Sequence, residues 1–347
     1  MTAEDASVPV SLRRHRAFTL YWLITGCAST ASQVMSVALG WQVYALTHDP
    51  LDLGLIGLAQ FIPAFLLALP AGHAVDRYRR RTILRCCLAV DGTAALLLAL
   101  GSAGGWLRIE AVFGLAALIG AARAFESPAR SALLAGLVPR ESLGRAVAWN
   151  SSVQQVATIV GPALGGLLYG LGAAACYAAC TAAWGTGLAL AFFLPPAAQA
   201  IGREKPTLRS VLAGLEFIWR RKEILGAVSL DLFAVLLGGA AALLPIYARD
   251  ILLAGPFGLG LLRSAPAVGA LVVAATLARR PLEHNNGPAM FAAVAVFGIA
   301  TCIFAVSHNM ILSLAALAAM GAGDMVSVFV RQSLVQLRTP DEMRGRV

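Results

Sequence analysis

Charged residues are scarce in this sequence, and hydrophobic residues are abundant. Of its 347 residues, 13% are charged and 59% are hydrophobic, whereas soluble domains carry roughly 25% charged and 45 to 50% apolar residues. This composition excludes an ordinary soluble domain and predicts a membrane protein. The net charge of +9 would suggest nucleic acid as a partner of a soluble chain, but here the cations must first be sorted by membrane side, and we expect no nucleic acid partner.

The sequence also lacks the usual patterns of metal sites and disulfide frameworks. Its six cysteines form no Cys-x-x-Cys pair and lie mostly inside apolar runs, where cysteine behaves as a small buried hydrophobe. None of the five histidines has ligand spacing to another on one helix. We therefore predict no structural disulfide and no metal.

Motifs for nucleotide binding and catalysis are missing as well. The only lysines, Lys205 and Lys222, are followed by Pro and Glu, so the sequence has no Gly-x-x-x-x-Gly-Lys-Ser/Thr loop to hold a phosphate. It has neither a paired His-Glu metal motif nor a serine nucleophile elbow. We predict no nucleotide, no cofactor and no enzyme activity.

Long apolar runs are what the sequence has in quantity. A membrane-spanning helix needs about 20 mainly apolar residues. The first run has about 30 residues, far more than the 7 to 15 of a cleavable signal peptide, so it is expected to remain as a span. Ten spans are predicted, at 17–46, 51–75, 82–103, 109–125, 146–170, 173–194, 224–248, 257–278, 289–306 and 310–334.

Positive charges are distributed unevenly between alternate loops. If the loop at 72–81 is cytoplasmic, all but three of the 27 Lys and Arg residues fall on that side; the exceptions are Arg108, Arg249 and Arg263. Arginine costs roughly 2.5 to 3.5 kcal/mol to insert into a bilayer, so cations mark the side that is not translocated. The pattern predicts a multi-pass protein in the lipid bilayer of the cell inner membrane, with a cytoplasmic N-terminus.

The spans fall into two halves. A polar, basic connector over 195–223, with three prolines, separates residues 1–194 from residues 224–347. The first half holds six predicted spans and the second holds four.

The two halves repeat each other in sequence. The stretch Pro-Arg-Glu-Ser-Leu-Gly-Arg from Pro139 aligns with Pro-Asp-Glu-Met-Arg-Gly-Arg from Pro340, at an offset of 201. A second match, between Gly57 and Gly260 and their neighbours, has an offset of 203. Chance recurrence of Gly and Pro is enough to explain the match at Gly57. It does not explain the longer match at Pro139. The repeat indicates tandem duplication, with a substrate path between parallel halves.

A basic turn between the second and third predicted spans carries a recognisable pattern. Gly72, Asp76, Arg77, Arg80 and Arg81 resemble the loop between helices two and three of the major facilitator superfamily, Gly-x-x-x-Asp-Arg-x-Gly-Arg-Arg/Lys. The residue before Arg80 is arginine, where the general pattern has glycine. The resemblance implies that the loop gates transport, with Asp76 coupling the two halves rather than binding substrate. The alternative is a positive-inside anchor and nothing more.

A second pattern lies in the fifth predicted span. Gly161, Pro162, Gly165 and Gly166 are similar to the later part of the motif Gly-Pro-x-x-Gly-Gly that marks antiporters of this superfamily. The upstream glycines of that motif are replaced here by alanine. A glycine-rich packing face accounts for the same residues, because small side chains let neighbouring helices approach closely.

Further stretches at 230–239 and 260–269, with Pro128 and Arg130, look like the enterobactin-exporter-like branch of the superfamily. The resemblance covers nearly the whole chain. It implies an all-α membrane protein with the major facilitator fold, two six-helix repeats and proton-coupled export of a small molecule, such as a siderophore or a drug-like compound. An importer of the same fold and a transport-silent membrane protein are the alternatives.

Ionisable residues inside spans are expected to serve transport, because burying them is costly. Proton coupling or substrate contact is one role for them, and a structural ion pair is the other. Polar amides in the first two spans either line the substrate cavity or link helices by hydrogen bonds. The residues predicted on these grounds are Asp231, Asp91, Asp324, Arg263, Glu126, Arg123, Gln33 and Gln60.

The repeat also predicts that the second half is truncated after its fourth helix. At the offset of 201, Val347 falls opposite Ala146, so the two spans that begin there in the first half have no counterpart. We expect about ten spans where the family has twelve, and impaired transport by this chain alone. The sequence is then either a shortened version of a longer gene product or a natural short product.

Overall fold

The computed structural model describes residues 15–196, 240–279 and 286–338, with isolated positions at 219, 221, 222, 225, 226, 229, 230 and 232. Every regular element in these ranges is a helix, which confirms the predicted all-α class. The chain divides into two compact units, Met1–Ala200 with Gly255–Gly260 and Ile201–Ala254 with Leu261–Val347, each treated below through its described residues. The predicted connector over 195–223 lies largely outside them.

Six long helices form the first unit. Short turns join them; Asp49, for example, accepts a hydrogen bond from the amide of Leu51 and so caps the second helix, which has Pro50 in its first turn. The helices are α1 Arg16–Thr47, α2 Pro50–Arg77, α3 Arg80–Gly104, α4 Ile109–Leu137, α5 Leu143–Gly170 and α6 Ala173–Phe192.

Packing in the first unit depends on close contacts between helix backbones. Helix α1 packs on α5 and α6, α2 packs on α4, and α3 packs on α4 and α6. Gly120 of α4 lies against the backbone of Gln60 in α2, where a Cβ atom would collide with the Gln60 carbonyl. Gly161 of α5 lies against Gln33 of α1 in the same way, with 2.6 Å between the position of an added Cβ and the Gln33 Cβ. Both contacts require glycine.

After the first six helices, the described chain contains a short helix, a π-helical segment and three long helices, all in the second unit except Gly255–Gly260. They are α7 Ala240–Ile246, the π-helix Tyr247–Ile251, α8 Gly255–Arg279, α9 Asn286–Val306 and α10 Met310–Arg338. Helices α9 and α10 form a hairpin whose buried residues include Met290 and Val330. At its turn the Asn309 side chain accepts hydrogen bonds from the amides of Ile311 and Leu312, which caps the start of α10.

Seven of the described helices are long and apolar enough to cross a membrane, namely α1, α2, α3, α6, α8, α9 and α10. Helices α4 and α5 are not among them, although they have 29 and 28 residues, because polar side chains lower their hydropathy. The predicted span at 224–248 is described only in part, at isolated positions, in α7 and at the start of the π-helix.

The predicted end of the fourth span was wrong. The sequence pattern placed it at 125, but α4 continues to Leu137. Arg123, Glu126 and Arg130 therefore lie within the helix instead of at or beyond its end. They remain there because each side chain finds a partner inside the first unit.

Candidate functional site

A polar cavity lies between α1, α4 and α5 of the first unit, with a volume of about 230 Å³. All but one of its lining residues carry a polar or charged side-chain group. The cavity is lined by Tyr21, Ala28, Ser29, Ser32, Gln33, Arg123, Glu126, Ser127, Arg130, Ser131, Asn150, Gln154 and Thr158. Such a lining inside an otherwise apolar bundle indicates a binding or conduction site.

Each of the three helices presents its polar residues at helical spacing. In α5, Asn150, Gln154 and Thr158 are four residues apart and therefore share one face. The polar residues of α4 between positions 123 and 131 recur every three or four residues, as do those of α1 between 29 and 33. The cavity forms where these three faces meet.

Arg130 is the most highly connected side chain of the polar cavity. Its Nη1 donates to Oε1 of Glu126 at 3.0 Å, and the two side chains are 16% and 14% exposed. Its Nη2 donates to Oγ of Ser29 at 3.1 Å, and its backbone carbonyl accepts a hydrogen bond from the Tyr21 hydroxyl at 3.1 Å. Arg130 therefore forms an ion pair within α4 and also links α4 to α1.

Arg123 and Gln33 lie in the same cavity but are held differently. Arg123 donates from Nη2 to Oγ of Ser32 at 2.7 Å and makes no ion pair within the described ranges. Gln33 donates from Nε2 to the Thr158 hydroxyl at 3.3 Å, which links α1 to α5. The guanidinium of Arg123 thus remains largely available to a ligand.

Asp91 lies close to the cavity without lining it. This residue of α3 is 3% exposed, and its Oδ1 has no hydrogen-bond partner in the described part of the chain. The charged groups that act on it electrostatically are Glu126 and Arg123 of α4. The charged residues of α4 that line the cavity therefore also interact with a buried carboxyl group of α3.

The remaining predicted polar residues are not in the cavity. Gln60 donates to the carbonyl of Ile56 in its own helix at 3.4 Å and packs against Gly120. In the second unit, Asp324 of α10 is exposed, and Arg263 of α8 is half-buried with interactions of its own. Asp231 lies outside the described residues.

The predicted motif turn is shorter than the sequence suggested. Gly72, Asp76 and Arg77 belong to the end of α2, and α3 begins at Arg80, so the turn itself is residues 78–79. Asp76 is exposed and makes no hydrogen bond or ion pair with any described residue.

The arginines after the turn bind the ends of other helices. Arg80 donates to the carbonyl of Ala132 in α4 at 2.9 Å, and Arg81 donates to the carbonyl of Leu194 at 2.7 Å. Arg85 donates to the carbonyl of Ala191 at 2.8 Å and lies over the ring of Phe192. The cations near the end of α6 satisfy its free carbonyl groups, which the helix dipole favours.

Two glycines of the antiporter-like motif, Gly161 and Gly165, form the contact of α5 with α1. Gly161, Pro162, Gly165 and Gly166 are all buried. A Cβ atom on Gly165 would lie 3.1 Å from the Cα of Val34. The packing role is therefore present in this structure, and it brings the polar face of α5 up to the cavity.

Sequence analysis missed much of the cavity lining, including Tyr21, Ser29, Ser32, Gln154 and Thr158. The signal was the helical spacing of the polar residues in α4 and α5, which distinguishes one face from the rest of an apolar helix. What the spacing does not reveal is which three faces meet, because that depends on packing between distant parts of the chain.

The described chain thus combines seven helices of membrane-spanning length and composition with a polar cavity among its first helices. Its fold is shared with solved structures of known transporters. The model is similar to a bacterial homologue of the human lysosomal transporter Spinster, with a TM-score of 0.72 and 11% identity over 96% of this chain and 78% of that chain. It is also similar to a bacterial homologue of the iron transporter ferroportin, with a TM-score of 0.70 and 18% identity over 95% and 86% of the two chains.

Residues 7–347 match the family described as transmembrane secretion effector, and the chain belongs to this family of major facilitator transporters. It is 26% identical to the enterobactin exporter EntS of Escherichia coli O1:K1, over 97% of this chain and 81% of that protein. The EntS protein of Shigella boydii serotype 18 matches with the same identity and coverage. The predicted resemblance to the enterobactin-exporter-like branch is confirmed, and the protein is a transporter of small molecules rather than an enzyme.

Proposed function

We propose that this protein exports a small molecule, a siderophore or a drug-like compound, by proton antiport with alternating access. The observation that carries the proposal is a charged, polar cavity inside the first unit of a chain that is similar to an enterobactin exporter along nearly its whole length. The absence of a nucleotide-binding loop from the sequence favours an ion gradient as the energy source.

We further propose the membrane arrangement that export requires. Residues 1–194 form the N-terminal half, 195–223 the cytoplasmic connector and 224–347 the C-terminal half. The N-terminus lies in the cytoplasm, which is supported by the accumulation of Lys and Arg in alternate loops. One half rocks against the other around a site near the middle of the membrane, as parallel-repeat transporters do.

Glu126 is the group to which we assign proton coupling in the first half. It is the only carboxylate among the lining residues of the polar cavity, and its partner Arg130 is held by a second helix through Ser29. Protonation of Glu126 would release Arg130 from the ion pair, and because Arg130 also bonds to Ser29, the protonation state of Glu126 would be linked to the position of α1 relative to α4. We propose three additional ionisable groups of the transport cycle: Asp91 in α3, and Asp231 and Asp324 in the second half.

Asp76 is assigned to gating rather than to binding. It lies at the end of α2, away from the cavity residues, and is exposed without a partner among the described residues. We expect Asp76→Asn to slow transport and leave the affinity for cargo nearly unchanged. Measurement of transport rate over a range of cargo concentrations tests this, since a large loss of affinity at normal maximal rate contradicts the assignment.

The test of the proposed function is efflux from cells with and without the gene, using siderophores and dyes as cargo, at intact and collapsed proton gradients. We expect efflux that depends on both the gene and the gradient. Glu126→Gln should abolish gradient-driven efflux while the protein remains in the membrane. The matched control is Glu110→Gln, an exposed carboxylate in the first turn of the same helix, which should leave efflux intact. Efflux that is unaffected by collapse of the gradient, or gene-dependent uptake instead of efflux, would refute the proposal.

A further inference from the structure

The polar cavity has more positive than negative charge. Its lining includes two guanidinium groups, Arg123 and Arg130, and one carboxylate, Glu126. Glu126 is already paired with Arg130 at 3.0 Å. The other lining residues are neutral at pH 7. One positive charge therefore has no contacting counter-ion among the lining residues.

That charge belongs to Arg123. A guanidinium has five N–H donors, and the hydrogen bond to Ser32 occupies one of its nitrogens. The side chain is exposed to the cavity and makes no ion pair in the part of the chain that the structure describes. Asp91 acts on it electrostatically but is buried on α3 and does not line the cavity. Such a guanidinium is able to pair with an anionic group of a ligand, because charge-assisted hydrogen bonds from arginine to a carboxylate are among the stronger ones in proteins.

Another residue that lines the cavity has a side-chain atom without a hydrogen-bond partner within the described ranges. The buried Oδ1 of Asn150 on α5 accepts no hydrogen bond from any described residue. Buried polar atoms are normally hydrogen-bonded, and an exception calls for a specific partner. A turn of the Asn150 side chain would bring this buried acceptor to the surface of the cavity, where it and the free donors of Arg123 would match a ligand that carries an anionic group and a hydrogen-bond donor.

We infer that the polar cavity binds a small organic anion, with the anionic group on Arg123 and a hydroxyl or N–H group of the same molecule donating to Asn150. Arg123 selects for negative charge, and Glu126 neutralises Arg130 so that the cavity takes one anionic group instead of two. Ser32 is a positioning residue, because it fixes the guanidinium through Nη2. This inference rests on the proposed function, since it names the class of cargo that the exporter takes.

Three molecules of the same shape and different charge test the inference directly: benzoate, benzamide and benzamidine. Binding of each is measured by titration calorimetry on the full chain in lipid nanodiscs. A charge-assisted contact to guanidinium should make benzoate bind about tenfold or more tightly than benzamidine, with benzamide between them. Equal or tighter binding of benzamidine, or saturable binding of none of the three, would overturn the inference.

Two variants separate the role of Arg123 from a general charge effect. Arg123→Gln should remove the preference for benzoate, and Arg123→Lys should keep most of it. Arg108→Gln makes the same change in net charge at an exposed residue just before α4 and should leave the preference unchanged. A benzoate preference that survives Arg123→Gln would contradict the assignment.

The binding test and the efflux test can fail separately. If benzoate preference depends on Arg123 while gene-dependent efflux is absent, the proposed function fails and the anion site stands. If gradient-driven efflux is observed but benzoate is not preferred, the export proposal stands and the assignment of an anionic cargo fails.

Discussion

The first unit has two contrasting regions, the polar cavity and an apolar outer surface. The cavity gathers two arginines, a glutamate and several hydroxyl and amide groups between α1, α4 and α5. The outer surface, formed by exposed apolar side chains of α2 and α3, includes Phe61, Phe65, Leu66, Leu96 and Leu100. Soluble proteins place these two kinds of residue the other way round.

The contrast shows which helices carry function in this fold. Helices α2, α3 and α6 have the composition of membrane spans. In the most apolar stretch of α2, only 11% of the residues are buried. Helices α4 and α5 lack that composition because each carries a polar face toward the cavity. Hydropathy therefore identifies α1 but misses α4 and α5, the other two helices that line the cavity.

The largest effect is expected from breaking the ion pair of the cavity. Arg130→Met leaves Glu126 without its partner in a largely buried position. The expected loss is about 3 to 5 kcal/mol in the free energy of unfolding, because removing one partner strands a charge. Denaturation in mixed micelles, followed by circular dichroism, measures it. The double variant Arg130→Met, Glu126→Gln should recover part of the loss; a double variant no more stable than the single one would contradict this explanation.

A smaller effect is expected where α2, with its apolar outer face, packs on α4, which lines the cavity. Gly120→Ala places a methyl group against the Gln60 carbonyl, and overpacking of this kind costs roughly 1 to 3 kcal/mol. The control is Gly114→Ala in the same helix, since no heavy atom of a described residue lies within 4 Å of an added Cβ there. We expect Gly114→Ala to be neutral or slightly stabilising in the same assay. Equal effects of the two changes would show that the contact does not limit α2–α4 packing.

The smallest effect is expected on the outer surface itself. Leu96 of α3 is 44% exposed, whereas Leu98, two residues later, is fully buried. Leu96→Ala should change the unfolding free energy by less than about 0.5 kcal/mol, and Leu98→Ala should cost roughly 2 to 5 kcal/mol because it leaves a cavity. Thermal unfolding in detergent compares the two variants, and a loss for Leu96→Ala as large as for Leu98→Ala would assign that face to a protein contact.

The sequence predicted the helices well and the site in part. Predicted and observed ends of α1, α2, α3, α5, α6, α8, α9 and α10 agree within four residues, because apolar runs bounded by turns are strong local signals. The end of α4 was missed, because the apolar run ends near residue 125 and the helix continues through polar and charged residues. In the folded unit Arg130 reaches Glu126 one turn away and Ser29 on a distant helix.

The site shows the same division between local and non-local information. Gln33, Arg123 and Glu126 were predicted as polar residues inside spans, and the structure brings them together in one cavity. Asp91 was predicted on the same basis but is buried on α3 and does not line the cavity, and Gln60 bonds to its own helix. Residue type indicated the chemistry, whereas the choice of face depended on glycine contacts such as that of Gly161 with Gln33.

The central claim is that the polar cavity holds water and ligand while the outer surface contacts lipid. Single cysteines test it most directly, at Ser127 in the cavity and at Leu96 on the outer surface, in a background with the six native cysteines replaced. Both positions are exposed in the structure, so exposure alone does not distinguish them. A membrane-impermeant thiol reagent attacks the thiolate, which forms only where water is present. We predict rapid labelling of Ser127→Cys in membranes and little labelling of Leu96→Cys; equal rates, or faster labelling at Leu96, would contradict the account.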